Sequence, residues 1–151
     1  MFPNSLPTER MALLAVIDPD AYSNGAQTSG YFALKDFTRF AALILAGDIV
    51  STGTVDAKLT VYTDGSGGGA LDVPGATMTQ MTQAGTDSNK QAWINFNPDL
   101  VAGNTAYTHG RLTVTLGTAG ADMAAMVFGF DPRYAPATDS DATTVDSVTS
   151  V

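Results

Sequence analysis

A single histidine, His109, limits what this chain could do with protons. A Ser-His-Asp triad would need it as base, a two-histidine metal centre is ruled out, and no G-x-S-x-G turn is present to expose a nucleophile. His109 falls in "THGRLTVTLG", on one strand face with Tyr107, Arg111 and Thr113 and opposite Leu112, which suits a surface or interface role. "TVYTDGSGGGA" sets Gly65, Gly67 and Ala70 at the spacing of a dinucleotide fingerprint directly after a strand pattern. In such a site the pyrophosphate rests on the N-terminus of a following helix, and Leu71-Asp72-Val73-Pro74-Gly75 does not start one. A flexible, glycine-rich hairpin loop is expected there instead. Asp18-x-Asp20 and Asp139-x-Asp141 pair carboxylates as calcium loops do, but neither continues with the further ligands and terminal Glu, so turn-forming Asp is the plainer reading. With no cysteine, disulfides, thiolate metal sites and a cysteine nucleophile are excluded together. No cofactor, metal or catalytic residue is assigned.

The remaining residues of note are suited to contact. Trp93 and Tyr62 each fall on the polar side of a strand that otherwise alternates well, and large aromatics are enriched at the centres of protein interfaces. Three readings stay open for them: cover by the N-terminal arm, burial against another subunit, or a platform for stacking a glycan. Asp131-Pro132-Arg133-Tyr134 closes the last strand, and Arg133 matters only if assembly buries it, because an exposed ion pair contributes about 0–1 kcal/mol. The expected interface set is Tyr62, Trp93, Tyr107, His109, Arg111, Arg133 and Tyr134.

Strands must position these residues. Val55, Ala57, Leu59 and Val61 alternate with Asp56, Lys58, Thr60 and Tyr62; Ala92, Ile94 and Phe96 alternate with Gln91, Trp93 and Asn95; Leu112, Val114 and Leu116 alternate with Arg111, Thr113 and Thr115. "AAMVFGF" completes the series, with Met126, Phe128 and Phe130 expected inward and a second face that is also apolar. "DGSGGG", "PGA", "AGTDSN", "NPD", "AGN" and "GTAGAD" separate these runs, a turn frequency that indicates a β-sandwich or jelly roll. The stretch "YFALKDFTRFAALILAGDI", residues 31–49, is ambiguous. From Asp36 it has a helix N-cap, helical spacing through Phe37, Phe40, Ala41, Ile44 and Leu45, and a C-cap glycine at Gly47. Its apolar character begins before that cap and covers both faces, and with β-structure around it a central strand is expected.

Composition agrees. Of 151 residues 44% are hydrophobic but only 15% charged, against about 25% in typical soluble domains, so polarity comes from Thr, Ser, Asn, Gln and Asp. Such a surface loses little to desolvation when it lies against protein. The net charge of −8, from fourteen Asp and Glu9 against seven Lys and Arg, has the wrong sign for nucleic acid. Apolar runs reach about seven residues, far below the roughly 20 that cross a bilayer, and residues 11–17, between Glu9-Arg10 and Asp18-Pro19-Asp20, are not read as a signal peptide. The expected organisation is an N-terminal arm over 1–28, a sandwich over 29–134 and a C-terminal tail over 135–151.

In order along the chain, "YFALKDFTRFAALILAGDI", "VDAKLTVYTDGSGGGALDVPGATMTQMT" and "DSNKQAWINFNPDLVAGNTAYTHGRLTVTLGTAGADMAAMVFGFDPRYAP" resemble a diffuse group of small structural proteins of tailed phages. The likeness covers roughly residues 29–136 and rests on an aromatic-containing "LK-aromatic" strand leading to Gly, an "A-K-L" strand, a "KQ" strand, a basic residue before Leu-x-Val, and a closing "RY". It implies a jelly roll, found in the virion as a head decoration or cement protein; with the strand pattern above, the expected fold is an all-β antiparallel sandwich of about eight strands with extended arms. The likeness further implies the major capsid protein as partner, a place on the capsid outer surface, a homotrimer, and no catalysis. A glycan-binding module of the virion and a tail or neck protein are the alternatives, with a hydrolase built on His109 a distant third. The arm and the Asp/Thr tail lie outside the likeness.

Overall fold

A computed structural model describes residues 5–101 and 104–150. Residues 1–4 of the expected arm and Val151 of the expected tail lie outside the described residues. After one helical turn, α1 (Pro7–Arg10), the chain forms ten strand segments: β1 (Met11–Tyr22), β2 (Gly25–Thr28), β3 (Phe32–Ala33), β4 (Phe37–Ile49), β5 (Thr54–Tyr62), β6 (Leu71–Thr77), β7 (Met81–Thr82), β8 (Gln91–Phe96), β9 (His109–Gly117) and β10 (Ala121–Pro132). All pairings are antiparallel. Sheet A has the order β1-β10-β4-β8; sheet B has β2-β9-β5-β6, with β3 also on β9 and β7 also on β5.

Counting β2 with β3 and β6 with β7 as interrupted strands leaves eight, paired in a nested way: first with last, second with second-to-last, and so inward to the β5–β6 hairpin. That nesting over two four-strand layers is a jelly roll. Between β2 and β3 the ladder to β9 is carried by Ser29, buried at the junction, whose amide donates to the Leu112 carbonyl at 3.0 Å and whose hydroxyl accepts from the Leu112 amide at 3.1 Å.

The expected inward residues of β5, β8 and β9 are inward: Val55, Leu59, Val61, Ile94, Phe96, Leu112 and Val114 are buried. Sheet A, which includes Ile94 and Phe96 of β8, meets the sheet B residues largely with small side chains, Ala12, Ala15, Ala42, Ala46 and Ala125, so large residues of one layer fit between small residues of the other. At one end Phe32, Phe37, Phe40 and Phe96 form a ring cluster. Gly110 and Gly129 lie directly beneath two of these rings; a Cβ at either would fall 2.5 Å from Phe32 or Phe37 carbons.

The structure corrects the sequence reading in three places. Residues 31–49 are β-structure, as expected, but not one strand: Leu34, Lys35 and Asp36 carry the chain from sheet B, where β3 lies, to sheet A, where β4 runs between β10 and β8. Residues 11–22, assigned to an arm, are a strand of sheet A paired with β10 from Met11↔Phe130 to Tyr22↔Ala121. Asp18-Pro19-Asp20 looked like a turn and is an irregularity within β1, where register shifts between Ile17 and Asp20. Proline is tolerated there because β1 is an edge strand with no second ladder to feed. In β10 the inward residues are Met123, Ala125 and Val127, while Met126, Phe128 and Phe130 face outward and are half-buried. Both faces of β10 are apolar, so periodicity fixed the alternation and not its sign.

The C-terminal segment is also docked in part. Ala137–Ser140 form a 3-10 turn with Ala137 buried, Asp141 accepts from the Leu13 amide at 2.8 Å, and the Ala142 amide donates to the Leu13 carbonyl at 2.6 Å. The outer edge of β1 is therefore occupied at Leu13 by the chain's own tail.

Candidate functional site

The two sheets present opposite surfaces to solvent. Sheet B is polar outside: His109, Arg111, Thr113 and Thr115 on β9 stand beside Asp56, Lys58, Thr60 and Tyr62 on β5. Its charges are engaged within the molecule. Lys58 pairs with Asp72 at 2.6 Å, Thr60 Oγ1 donates to Asp72 at 2.7 Å, and these bonds, Lys58 first, hold the Asp72 carboxyl below its usual range.

Tyr62 and His109 are register partners, and Arg111 lies in the same group. The Arg111 guanidinium sits 4.8 Å from the Tyr31 ring centroid; it donates to the Ser29 carbonyl at 2.9 Å, to the Tyr31 hydroxyl at 3.3 Å and to Thr28 Oγ1. The Tyr31 and Tyr62 rings meet edge to face at 5.1 Å. Arg111 thus staples the β2–β3 junction to β9, a role within the fold. His109 Nδ1 lies 2.8 Å from Thr108 Oγ1. Beside it residues 63–70 form the expected hairpin loop between β5 and β6, but tied by Asp64, whose carboxylate accepts from the amides of Ser66 at 2.7 Å and Gly68 at 3.0 Å. Those amides, Gly68 first, hold the Asp64 carboxyl low, with a smaller contribution from His109.

Sheet A is apolar outside. Along β10 the outward residues between Asp122 and the strand end are Ala124, Met126, Phe128 and Phe130; β4 contributes Ala41, Leu43 and Leu45; β1 contributes Met11, Leu13 and Val16; β8 contributes Trp93. Pairing aligns these in rows, of which Val16–Met126–Leu43–Trp93 is the central one. Trp93 is 56% exposed; its ring lies 6.4 Å from that of Phe128, which lies 6.4 Å from Phe130. Four strands about 4.8 Å apart and seven residues of about 3.4 Å rise give a footprint of about 400 Å². The largest apolar patch on a typical monomer is about 300–600 Å² and is often functional.

At the Phe130 end the face descends into a groove of about 730 Å³ between Arg39, Trp93, Asn95, Phe130 and Leu100, the last 84% exposed. Asp131 accepts there from Arg10 at 3.2 Å and from Arg39.

The seven expected interface residues thus occupy four places. Tyr62, His109 and Arg111 are together outside sheet B; Tyr107 is half-buried and packs on the core; Trp93 is on the opposite sheet; Arg133 and the 80%-exposed Tyr134 follow β10 at the end of the molecule. Sequence reasoning missed Met126, Phe128, Phe130, Leu43 and Leu45 as surface residues. The signal was present in the double apolar face of β4 and β10, which burial between neighbouring strands alone does not require.

Among the described residues no three His, Asp or Glu side chains converge to hold a metal ion. Within the paired-Asp motifs, Asp141 accepts from the Leu13 amide and Asp20 from the Ala21 amide. No helix among the described residues is long and apolar enough to cross a membrane.

No family model matches the chain, and no curated protein matches it. Among solved structures it is similar to a chain of infectious bursal disease virus, Gx strain, at 15% identity over 90% of this chain and 38% of that one, with a TM-score of 0.43. It is also similar to a chain of the naturally occurring empty particles of cowpea mosaic virus, at 14% identity over 87% and 88% and a TM-score of 0.46. A chain of broad bean stain virus aligns at 14% over 87% and 93%, with a TM-score of 0.43. The chain spans about 38% of the length of the bursal disease virus chain. These likenesses concern the fold.

Proposed function

We propose that the chain is a structural protein of a virion, of the head decoration or cement type, lying on the outer surface of a phage capsid against the major capsid protein and associating with copies of itself. The apolar outer face of sheet A carries this reading: hydrophobic rows from four strands, with a half-exposed tryptophan, stand where a freely soluble sandwich would place Thr, Lys and Glu. Low total charge supports it, because docking such a surface desolvates few ions. The engagement of Arg111, Asp64 and Asp72 in holding strands and loops agrees with a role without reaction chemistry. The virion half of the reading rests on the resemblance over residues 29–136. The homotrimer implied by that resemblance has no feature of the described residues behind it.

Phage heads prepared without the chain, mixed with it and pelleted, test the proposal. Saturable binding of many copies per head and a higher disruption temperature are expected. A chain that stays in the supernatant and leaves the heads no more stable overturns the decoration role, and a few copies per particle assign it to tail or neck.

One observation favours a second reading. Trp93 stands open beside Asn95 and Arg39 in the groove, an aromatic plane flanked by hydrogen-bonding groups, as a glycan-stacking site would be. A glycan array decides it: binding that survives Trp93→Ala, or no binding, removes that platform.

A further inference from the structure

The outer face of sheet A is not symmetric in charge. At one end Asp122 of β10 and Asp18 of β1 follow the apolar rows, both exposed; a Cβ at Gly47 would meet the Asp122 Cβ at 3.0 Å, so Asp122 sits beside the matching end of β4. At the other end stand Arg39, in register with Phe130, and Arg10, both paired with Asp131 and with Glu9 beside them, so the cations there balance the carboxylates, whereas Asp18 and Asp122 at the first end face no cation of this surface among the described residues. The Met126–Leu43 row lies midway, four residues from Asp122 in one direction and four from Phe130 in the other.

We propose that this face packs on the same face of a second copy, related by a two-fold axis running across the strands along the Val16–Met126–Leu43–Trp93 row. Rotation about that axis reverses strand direction and lays the Arg39 end of one copy over the Asp18 and Asp122 end of the other. A two-fold axis parallel to the strands would bring Arg39 onto Arg39 and Asp122 onto Asp122, so charge selects between the two arrangements. On the axis Met126, Leu43 and Trp93 meet their own equivalents, as an isologous contact requires. Including the charged rows, each copy contributes a footprint of about 500 Å². The pair reaches about 1,000 Å², the lower bound for a specific contact, before side-chain relief is counted. The inference rests on the reading of this face as a contact surface and names its occupant.

Sedimentation velocity over a concentration series tests it, with the fold of each variant checked by circular dichroism. A dimer is expected, weakened at least tenfold by Arg39→Asp and by Asp122→Arg, and recovered when the two are combined. Because the chain has no cysteine, Leu43→Cys on the axis should join two chains through a short bismaleimide, while Thr115→Cys outside sheet B should not. A dimer indifferent to both charge reversals, or a trimer, overturns the proposal. A monomer throughout also overturns it; if that monomer still binds phage heads, and Phe128→Asp abolishes the binding, the contact surface stands and its occupant is the capsid.

Discussion

Asp141 accepts a hydrogen bond from the backbone amide of Leu13 at 2.8 Å, across a sequence separation of 128 residues. The tail thereby fastens to the outer edge of the first strand, where an open ladder would invite pairing with another chain. The bond is part-buried and accepted by a carboxylate, and loss of such a hydrogen bond costs about 1–3 kcal/mol. Asp141→Ala should therefore lower the urea midpoint by an amount in that range, while Asp141→Asn, which keeps an acceptor oxygen, should retain most of the stability. Equal midpoints for Asp141→Ala and the parent chain would show that the clasp adds nothing.

Gly110 and Phe32 provide a test of packing. A methyl group at position 110 would lie 2.5 Å from the Phe32 ring, and overpacking of this kind costs about 1–3 kcal/mol. Gly110→Ala should destabilise by that amount, and Phe32→Leu should relieve part of the penalty in the double variant. Additive losses in a double-mutant cycle would show that the ring is not the obstacle.

Arg111 is a staple that lysine cannot replace. One guanidinium reaches Ser29, Tyr31 and Thr28 together, and a lysine ammonium on a flexible stem lacks that fork. Arg111→Lys is expected to lower thermal stability and to raise amide exchange around residues 28–33 while leaving the sheet A face unchanged. Unchanged exchange there would remove the staple.

Acid should weaken the fold through three carboxylates. Hydrogen bonds from the Gly68 and Ser66 amides lower Asp64, the bond from Lys58 lowers Asp72, and the bond from Lys90 followed by the Thr82 amide lowers Asp87. A folded-state pKa below the unfolded value stabilises fully above the unfolded value, about 3.9 for Asp, and the contribution disappears as pH falls through the folded value. Urea midpoints should hold between pH 7 and 5 and decline below about 4. Asp64→Asn with Asp87→Asn should flatten that decline; an identical acid slope would place its origin elsewhere.

Much of the fold was legible because alternation in β5, β8 and β9 had one apolar and one polar face, which sets both strand and orientation. The β4 and β10 patterns had two apolar faces, so they disclosed strands but not which side met the core, and the surface now of most interest was read as interior. The arm expected over residues 1–28 conceals a strand because Asp18-Pro19-Asp20 resembles a turn; only the pairing of β1 with β10 shows it to be an edge irregularity. Trp93 is legible from its place on a polar face and Arg111 from the strand face it shares with His109, yet Arg111 owes its position to contacts with residues some 80 positions earlier, which no local pattern encodes.

The nesting of the strands also sets an order of events during synthesis. Among the described residues β1 has one strand neighbour, β10, so during synthesis β1 stays unpaired until residues 121–132 have emerged. Meanwhile Ala12, Leu13, Ala15, Val16 and Ile17 expose apolar side chains on both faces, so a chaperone that shields nascent β1 should raise the folded yield. Release of the chain anywhere before residue 121 would leave β1 without a strand partner and β4 paired with β8 alone.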